Sequence, residues 1–178
     1  MKKIDWSKEK EASNFELLPS GGYICQILRV KDTPDREYLT IEFDVAAGEY
    51  KDYFLDACSG RDFWSGRFIK SYKPKARGFF KSMLTAVEES NPGFKADTFS
   101  DEKQLEGKRI GLTIGHEQYW NSNGEERTRI YVDQTRSVKA IESGDFKVPK
   151  DRVDDYNKPA DDPMDGFDEV IADDEVPF

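Results

Sequence analysis

The chain has 178 residues, of which 37% are hydrophobic and 35% charged, and its formal net charge is −9. This length suffices for one domain with its own core, and no apolar run approaches the roughly 20 residues of a membrane-spanning helix. The N-terminus lacks the apolar centre of a signal peptide, so we expect a cytoplasmic protein.

The net charge comes entirely from the C-terminal segment. From Asp151 onward there are eleven acidic residues against Arg152 and Lys158, whereas residues 1–150 contain 25 acidic and 25 basic residues. The segment also contains three prolines and few apolar residues, a composition typical of disordered chains. We therefore predict one folded domain over residues 1–150 and a flexible acidic tail over residues 151–178.

The first half of the domain has the patterns of strands. Residues 22–31 are mainly apolar, and residues 38–45 alternate between polar and apolar side chains, as in a half-buried strand. A Pro-Asp pair at positions 34 and 35 separates the two runs and predicts a hairpin. Gly48 then interrupts the alternation, and residues 50–56 are predicted to form a third strand.

The second half predicts a helix followed by two strands. The helix begins near Pro74 and ends at the Asn-Pro-Gly sequence of residues 91–93. Its apolar positions at helical spacing are Phe79, Phe80, Met83, Leu84 and Val87. Residues 109–114 and 127–133 alternate as strands do, and Asn123-Gly124 between them is a strong hairpin signal.

This element order predicts a mainly β fold. Three strands, a helix and two strands is the order of the oligonucleotide-binding (OB) fold, a five-stranded barrel with one helix between strands 3 and 4. Other five-stranded barrels share the order, so the count alone does not decide between them.

The residues that usually carry enzymatic chemistry are sparse. His116 is the only histidine, which argues against zinc chemistry and against a histidine-based triad. Cys25 and Cys58 form no CxxC pair and are expected to be buried thiols. The acidic residues that could imitate a metal site are Asp32, Asp35, Glu42 and Asp44. Because they fall on the solvent side of a strand and hairpin, we expect no enzyme, metal or cofactor.

The end of the tail is the most specific motif. Its six residues are Asp173, Asp174, Glu175, Val176, Pro177 and Phe178. A partner could hold the terminal ring in an apolar pocket and bind the carboxylates with Arg or Lys. The alternative is an acidic, solubilising tail that ends in Phe by chance.

This tip resembles that of the single-stranded DNA-binding proteins of bacteria and their phages. In that family the acidic tail ends in Pro-Phe and docks replication and repair enzymes. The resemblance implies single-stranded DNA binding during replication, recombination or repair in a bacterial host cell. It covers the tail alone, so no DNA-contacting residue is carried over from the family.

A first candidate DNA interface is the segment of residues 61–81, which holds seven basic residues against Asp62. Cations can bind phosphates, and flat aromatic rings can stack on bases. The candidate residues are Arg61, Phe63, Trp64, Arg67, Phe68, Lys70, Tyr72, Lys73, Lys75 and Arg77. We expect at least one of its aromatic rings to pack in the core, with Trp64 or Tyr72 as the candidate base platform.

A second candidate interface is the last hairpin, because the loop between the final two strands is a usual OB ligand site. Its residues are Tyr119, Trp120, Arg127, Arg129 and Tyr131. The alternative is cross-strand packing of Tyr119 or Trp120 with an arginine on a solvent-facing ribbon.

Together these observations predict a protein that coats single-stranded DNA without strong sequence preference and recruits enzymes through its tail. The alternative is an adaptor that captures a replication enzyme through the tail and binds no DNA. Either protein could form a homo-oligomer.

Overall fold

The computed structural model describes residues 2–5, 7 and 16–159. The strands are β1 (Gly21–Thr33), β2 (Tyr38–Val45), β3 (Arg67–Ser71), β4 (Arg109–Trp120), β5 (Glu126–Arg136) and β6 (Arg152–Asp154). The helices are α1 (Tyr53–Ala57), α2 (Arg77–Ser90) and α3 (Val138–Glu142). Short 3-10 turns occupy Pro34–Arg36, Pro74–Ala76, Ala96–Thr98 and Glu102–Leu105.

The strands form one sheet in the order β3-β2-β1-β4-β5, with neighbouring strands antiparallel, and β6 pairs with β4 in parallel. The long strand β1 pairs with β4 from Gly21 to Gln26 and with β2 from Cys25 to Thr33. An irregularity between Ile27 and Arg29 interrupts the second ladder, and such bulges bend a strand. β1 therefore joins the two halves of the sheet.

The mainly β prediction is confirmed, and so is the helix between β3 and β4. Within the described residues no ladder joins β3 to β5, so the sheet is not closed into a barrel. α2 packs against β3, β4 and β5 and buries Phe80, Met83, Leu84 and Val87. Phe79 is 73% exposed, because a side chain next to Phe80 points about 100° away around the helix.

The predicted third strand was wrong. Residues 53–57 form the short helix α1, and β3 begins only at Arg67. The reason lies in Asp44, whose carboxylate accepts hydrogen bonds from the backbone N–H groups of Val45, Phe54 and Leu55. The bonds from Phe54 and Leu55 satisfy N–H groups that the first turn of a helix leaves free.

The sheet extends into the segment that we assigned to the tail. β6 lies against residues 117–119 of β4, and the Tyr131 hydroxyl donates to the carbonyl of Lys150. Gly115 permits this approach, because a Cβ there would lie 2.8 Å from the Tyr131 ring and 2.9 Å from Pro149. Ion pairs formed by Arg152 and Asp154 hold β6 in place.

Three smaller observations complete the fold. Cys25 and Cys58 are buried and unpaired, as expected, and burial raises the pKa of the Cys25 thiol. The His116 ring hydrogen-bonds the Leu18 carbonyl through Nε2, which ties the N-terminal segment to β4. Among the described residues, no helix is both long and apolar enough to cross a membrane.

Candidate nucleic-acid interface

The connection between β2 and β3 positions a tryptophan at one end of the sheet. Asp44 fixes α1 beside the end of β2, as described above. Gly66 then allows the chain to pass close to β2 and α1, because a Cβ at this position would lie 2.5 Å from the Phe43 carbonyl oxygen and 2.7 Å from the Phe54 ring. The residue two positions earlier, Trp64, is thereby held against this end of the sheet.

The Trp64 indole is fixed but only partly buried. Its Nε1 donates to the Phe43 carbonyl at 2.9 Å, and its ring lies 6.5 Å from that of Phe54. The rest of the indole lines two grooves, of about 380 Å³ and 300 Å³, which also share Leu55 as a wall. We call these the first and second groove, and both fall near the lower end of the usual size of ligand sites.

Each groove carries two basic residues. Arg29 and Arg61 line the first groove, and Lys51 and Arg109 line the second. The Arg61 guanidinium lies 5.9 Å from the Phe63 ring, and this ring is 57% exposed. A groove that combines an apolar wall with cations can hold a base by its face and the adjoining phosphates by their charge.

The outer face of β1, β2 and β3 continues from the first groove. Register places Arg29, Glu42 and Arg67 in one row across the three strands, because directly paired residues share a face. The next row is Lys31, Thr40 and Ile69, and Ile69 is 62% exposed. Arg29 Nε donates to Glu42 at 2.6 Å. This surface therefore combines cations with an exposed apolar side chain.

The structure divides the first candidate segment into three groups. Arg61, Phe63 and Trp64 line the first groove, and Arg67 lies on the outer face. Phe68 is half-buried and packs against the core, with its ring 5.8 Å from that of Phe43, which is the contact expected of at least one aromatic residue of this segment. The exposed cations at the start of α2, beyond the opposite end of β3, are Lys73, Lys75 and Arg77.

Lys70 and Tyr72 make internal contacts. Lys70 pairs in register with the buried Leu39, and desolvation lowers the pKa of its ammonium group. The Tyr72 hydroxyl donates to Asp32 at 2.8 Å, and this hydrogen bond raises the pKa of Tyr72 to about 12. The Tyr72 ring also packs edge-on against Phe80 at 6.0 Å. Of the two candidate platforms, Trp64 is therefore the one beside a groove.

In the β4–β5 hairpin, basic side chains lie over the aromatic rings. The Arg129 guanidinium is 4.4 Å from the Tyr119 ring, its diagonal neighbour across the strands. Arg152 lies 3.7 Å from the Tyr131 ring, and the Lys158 ammonium lies 5.7 Å from the Trp120 ring. This is the cross-strand packing that we considered as the alternative for Tyr119.

Carboxylates also neutralise the cations of the hairpin. Glu117, only 6% exposed, accepts from Nε of Arg129 and Nε of Arg152, each at 2.6 Å. Arg129 also pairs with Asp154 at 2.9 Å, and Arg127 pairs with Glu125 at 3.0 Å. We call the group of Glu117, Arg129, Arg152 and Asp154 the hairpin ion cluster.

The two candidate interfaces lie at opposite ends of β4. Arg109, at the start of the strand, lines the second groove, and Trp120, at its end, belongs to the hairpin. Eleven residue steps separate them, which is up to about 36 Å at 3.3 Å per residue. The structure therefore does not combine Trp64 and Trp120 in one site.

Sequence reasoning missed several residues of the grooves. Leu55, Lys51 and Arg109 come from the α1 region and from the start of β4, outside both segments that we selected. Leu28 lines the second groove from the irregularity in β1 and is 38% exposed. Its exposure follows the alternation of buried and exposed residues in β1, but an apolar residue within an apolar run gives no sign in the sequence that it faces outward.

The acidic residues considered for a metal site have separate roles. Glu42 pairs with Arg29, Asp44 caps α1, and Asp32 accepts from Tyr72. Across the described part of the chain, no group of three or more potential ligands is placed to hold a metal ion.

The proposed docking tip, Asp173 to Phe178, lies outside the described residues. The chain matches no model of a known protein family, and no curated protein matches it either.

Proposed function

We propose that this protein is a single-stranded DNA-binding protein that coats exposed strands without strong sequence preference and recruits replication, recombination or repair enzymes through its C-terminal tip. One observation carries the first part. The immobilised Trp64 indole stands between two grooves that are lined by cations, beside an open sheet face that bears further cations.

We further propose that the fold is an OB fold that remains open between β3 and β5. Three features support this assignment. β1 pairs with both β2 and β4, α2 connects β3 to β4, and the strand order is that of a five-stranded barrel separated at one seam. OB folds are partly open barrels whose strand faces and loops hold oligonucleotides.

The chemistry of the site suits a single strand better than a duplex. A base can stack on Trp64 only if its face is accessible, and stacking is worth about 1–3 kcal/mol per base. The cations of the grooves and of the outer face then follow the phosphates. Such a surface does not select for base identity, apart from local contacts at the groove walls.

Salt dependence of oligonucleotide binding tests this proposal. If four to six phosphates are neutralised, log K should fall with log salt at a slope of roughly −3 to −4, from about 0.7 per phosphate. The Lys51→Ala/Arg61→Ala double variant removes one cation from each groove and should reduce the size of that slope by about 1.4. Lys147→Ala/Lys150→Ala changes the net charge equally from exposed positions outside both grooves. Equal slopes for the two double variants would contradict a binding site at the grooves.

The recruitment role is tested separately. Phe178→Ala should abolish capture of a replication or repair enzyme while oligonucleotide affinity stays unchanged, because the substitution leaves every acidic residue in place. Unchanged capture would contradict the docking role of the tip. Capture that depends on Phe178 in a protein that binds no oligonucleotide would instead support the adaptor.

A further inference from the structure

The grooves carry as many carboxylates as cations. The acidic residues are Asp56 and Asp62 in the first groove and Asp44 and Asp52 in the second. A site that held only phosphates would be weakened by this lining, since like charges oppose each other. The mixed lining therefore indicates that something other than phosphate also occupies the grooves.

Nucleobase edges are the part of a single strand that suits such a lining. A carboxylate accepts hydrogen bonds and donates none. In an unpaired strand cytosine, adenine and guanine each present an exocyclic amino group with two N–H donors, whereas thymine presents a single ring N–H between two carbonyl oxygens, which repel a carboxylate. A base that enters the first groove beside Trp64 brings its edge toward a wall that contains these two carboxylates.

The carboxylates of the first groove are available for such contacts. Within residues 16–159, no hydrogen bond or ion pair engages the side chains of Asp56 and Asp62, and both residues are exposed. Asp44 of the second groove differs, because its two oxygens already accept three backbone N–H groups. Among the described residues the second groove therefore keeps one carboxylate without such a partner, Asp52, whereas the first groove keeps two, and we assign the recognition to the first groove.

We infer that the first groove, through Asp56 and Asp62, prefers bases that carry an amino group, with cytosine favoured over thymine. This inference rests on the proposed function, since it concerns the same site. The first groove would therefore select the type of base at one or two nucleotides of the bound strand, without recognising a defined sequence motif.

The test compares oligo-dC with oligo-dT of equal length, at one salt concentration and at pH 8, where cytosine is unprotonated. Both carry the same phosphate charge, so the ratio of their affinities cancels the general electrostatic attraction. We expect the wild type to bind oligo-dC about three- to tenfold more tightly, the value of one hydrogen bond of roughly 1 kcal/mol. In Asp56→Ala/Asp62→Ala the ratio should fall to about one, because oligo-dC loses a hydrogen bond that oligo-dT does not make.

A control variant separates recognition from charge. Glu89→Ala/Asp145→Ala removes two exposed carboxylates outside both grooves and should keep the wild-type ratio. A wild-type ratio of one or below, or a ratio that the Asp56→Ala/Asp62→Ala variant leaves unchanged, would overturn the inference while the proposed function stands. Absence of binding to either oligonucleotide would instead overturn the proposed function.

Discussion

The role of Trp64 can be tested with two substitutions that have the same structural cost. Trp64→Phe and Trp64→Leu both remove the Nε1 hydrogen bond to the Phe43 carbonyl and both reduce the contact with Phe54. Only the phenylalanine variant keeps an aromatic face at the wall shared by the two grooves. The difference between the variants therefore isolates stacking from packing.

The expected magnitudes follow from these contacts. Loss of one hydrogen bond and of part of a half-buried ring should destabilise each variant by about 1–2 kcal/mol, less than the 3–5 kcal/mol of a fully buried aromatic residue. Loss of a stacked base should weaken binding of the leucine variant by about 1–3 kcal/mol, or roughly fivefold to a hundredfold. The phenylalanine variant should retain most of the affinity.

Fluorescence anisotropy of a labelled oligonucleotide measures the affinities, and thermal unfolding followed by circular dichroism measures the stabilities. The informative outcome is the ratio of the two affinities in variants of matched stability. Equal affinities for the phenylalanine and leucine variants would refute a stacking role. A loss of stability well above 3 kcal/mol in both would place the ring in the core instead.

Three further predictions concern the scaffold. Asp44→Asn should lower the free energy of unfolding by about 1–3 kcal/mol in urea titrations. The amide NH2 group that replaces one carboxylate oxygen would face a backbone N–H group, that of Leu55 in one orientation and those of Val45 and Phe54 in the other, so a hydrogen bond would be lost. Tyr72→Phe should be less stable than the wild type at pH 8. The hydrogen bond to Asp32 raises the Tyr72 pKa from 10.0 to about 12, so the neutral phenol stabilises the fold below pH 10 and this advantage should disappear between about pH 10 and 12. Glu117→Gln should cost about 1–2 kcal/mol, since both arginine partners are half exposed, and should speed hydrogen exchange in β6; unchanged exchange there would contradict its anchoring by the hairpin ion cluster.

Local patterns predicted the elements that depend on local information. The alternation of β2, the helical spacing of α2 and the Asn-Gly turn each depend on neighbouring residues, and each element lies where the pattern placed it. α1 was missed because the acceptor that caps it, Asp44, belongs to β2, ten residues before Phe54. β6 was missed because its ion partner Glu117 is 35 residues away, in β4. Neither contact leaves a periodic signal in the sequence.

The same limit applies to the two candidate interfaces. Both segments combine aromatic and basic residues, and their composition does not distinguish them. The fold distinguishes them, because it determines which carboxylates lie beside each cation. In the hairpin, Glu117 and Asp154 are within ion-pair distance of Arg129, and arginines already cover the rings of Tyr119 and Tyr131.

At the grooves the balance of charges is similar but the contacts differ. In the described part of the chain, the basic groups of Lys51, Arg61 and Arg109 form no ion pair, although carboxylates line the same cavities. A phosphate that approaches the hairpin must displace an existing partner, whereas one that approaches the grooves displaces only water and salt ions. Because the release of bound salt ions drives nucleic-acid binding, the unpaired cations of the grooves should supply most of the affinity.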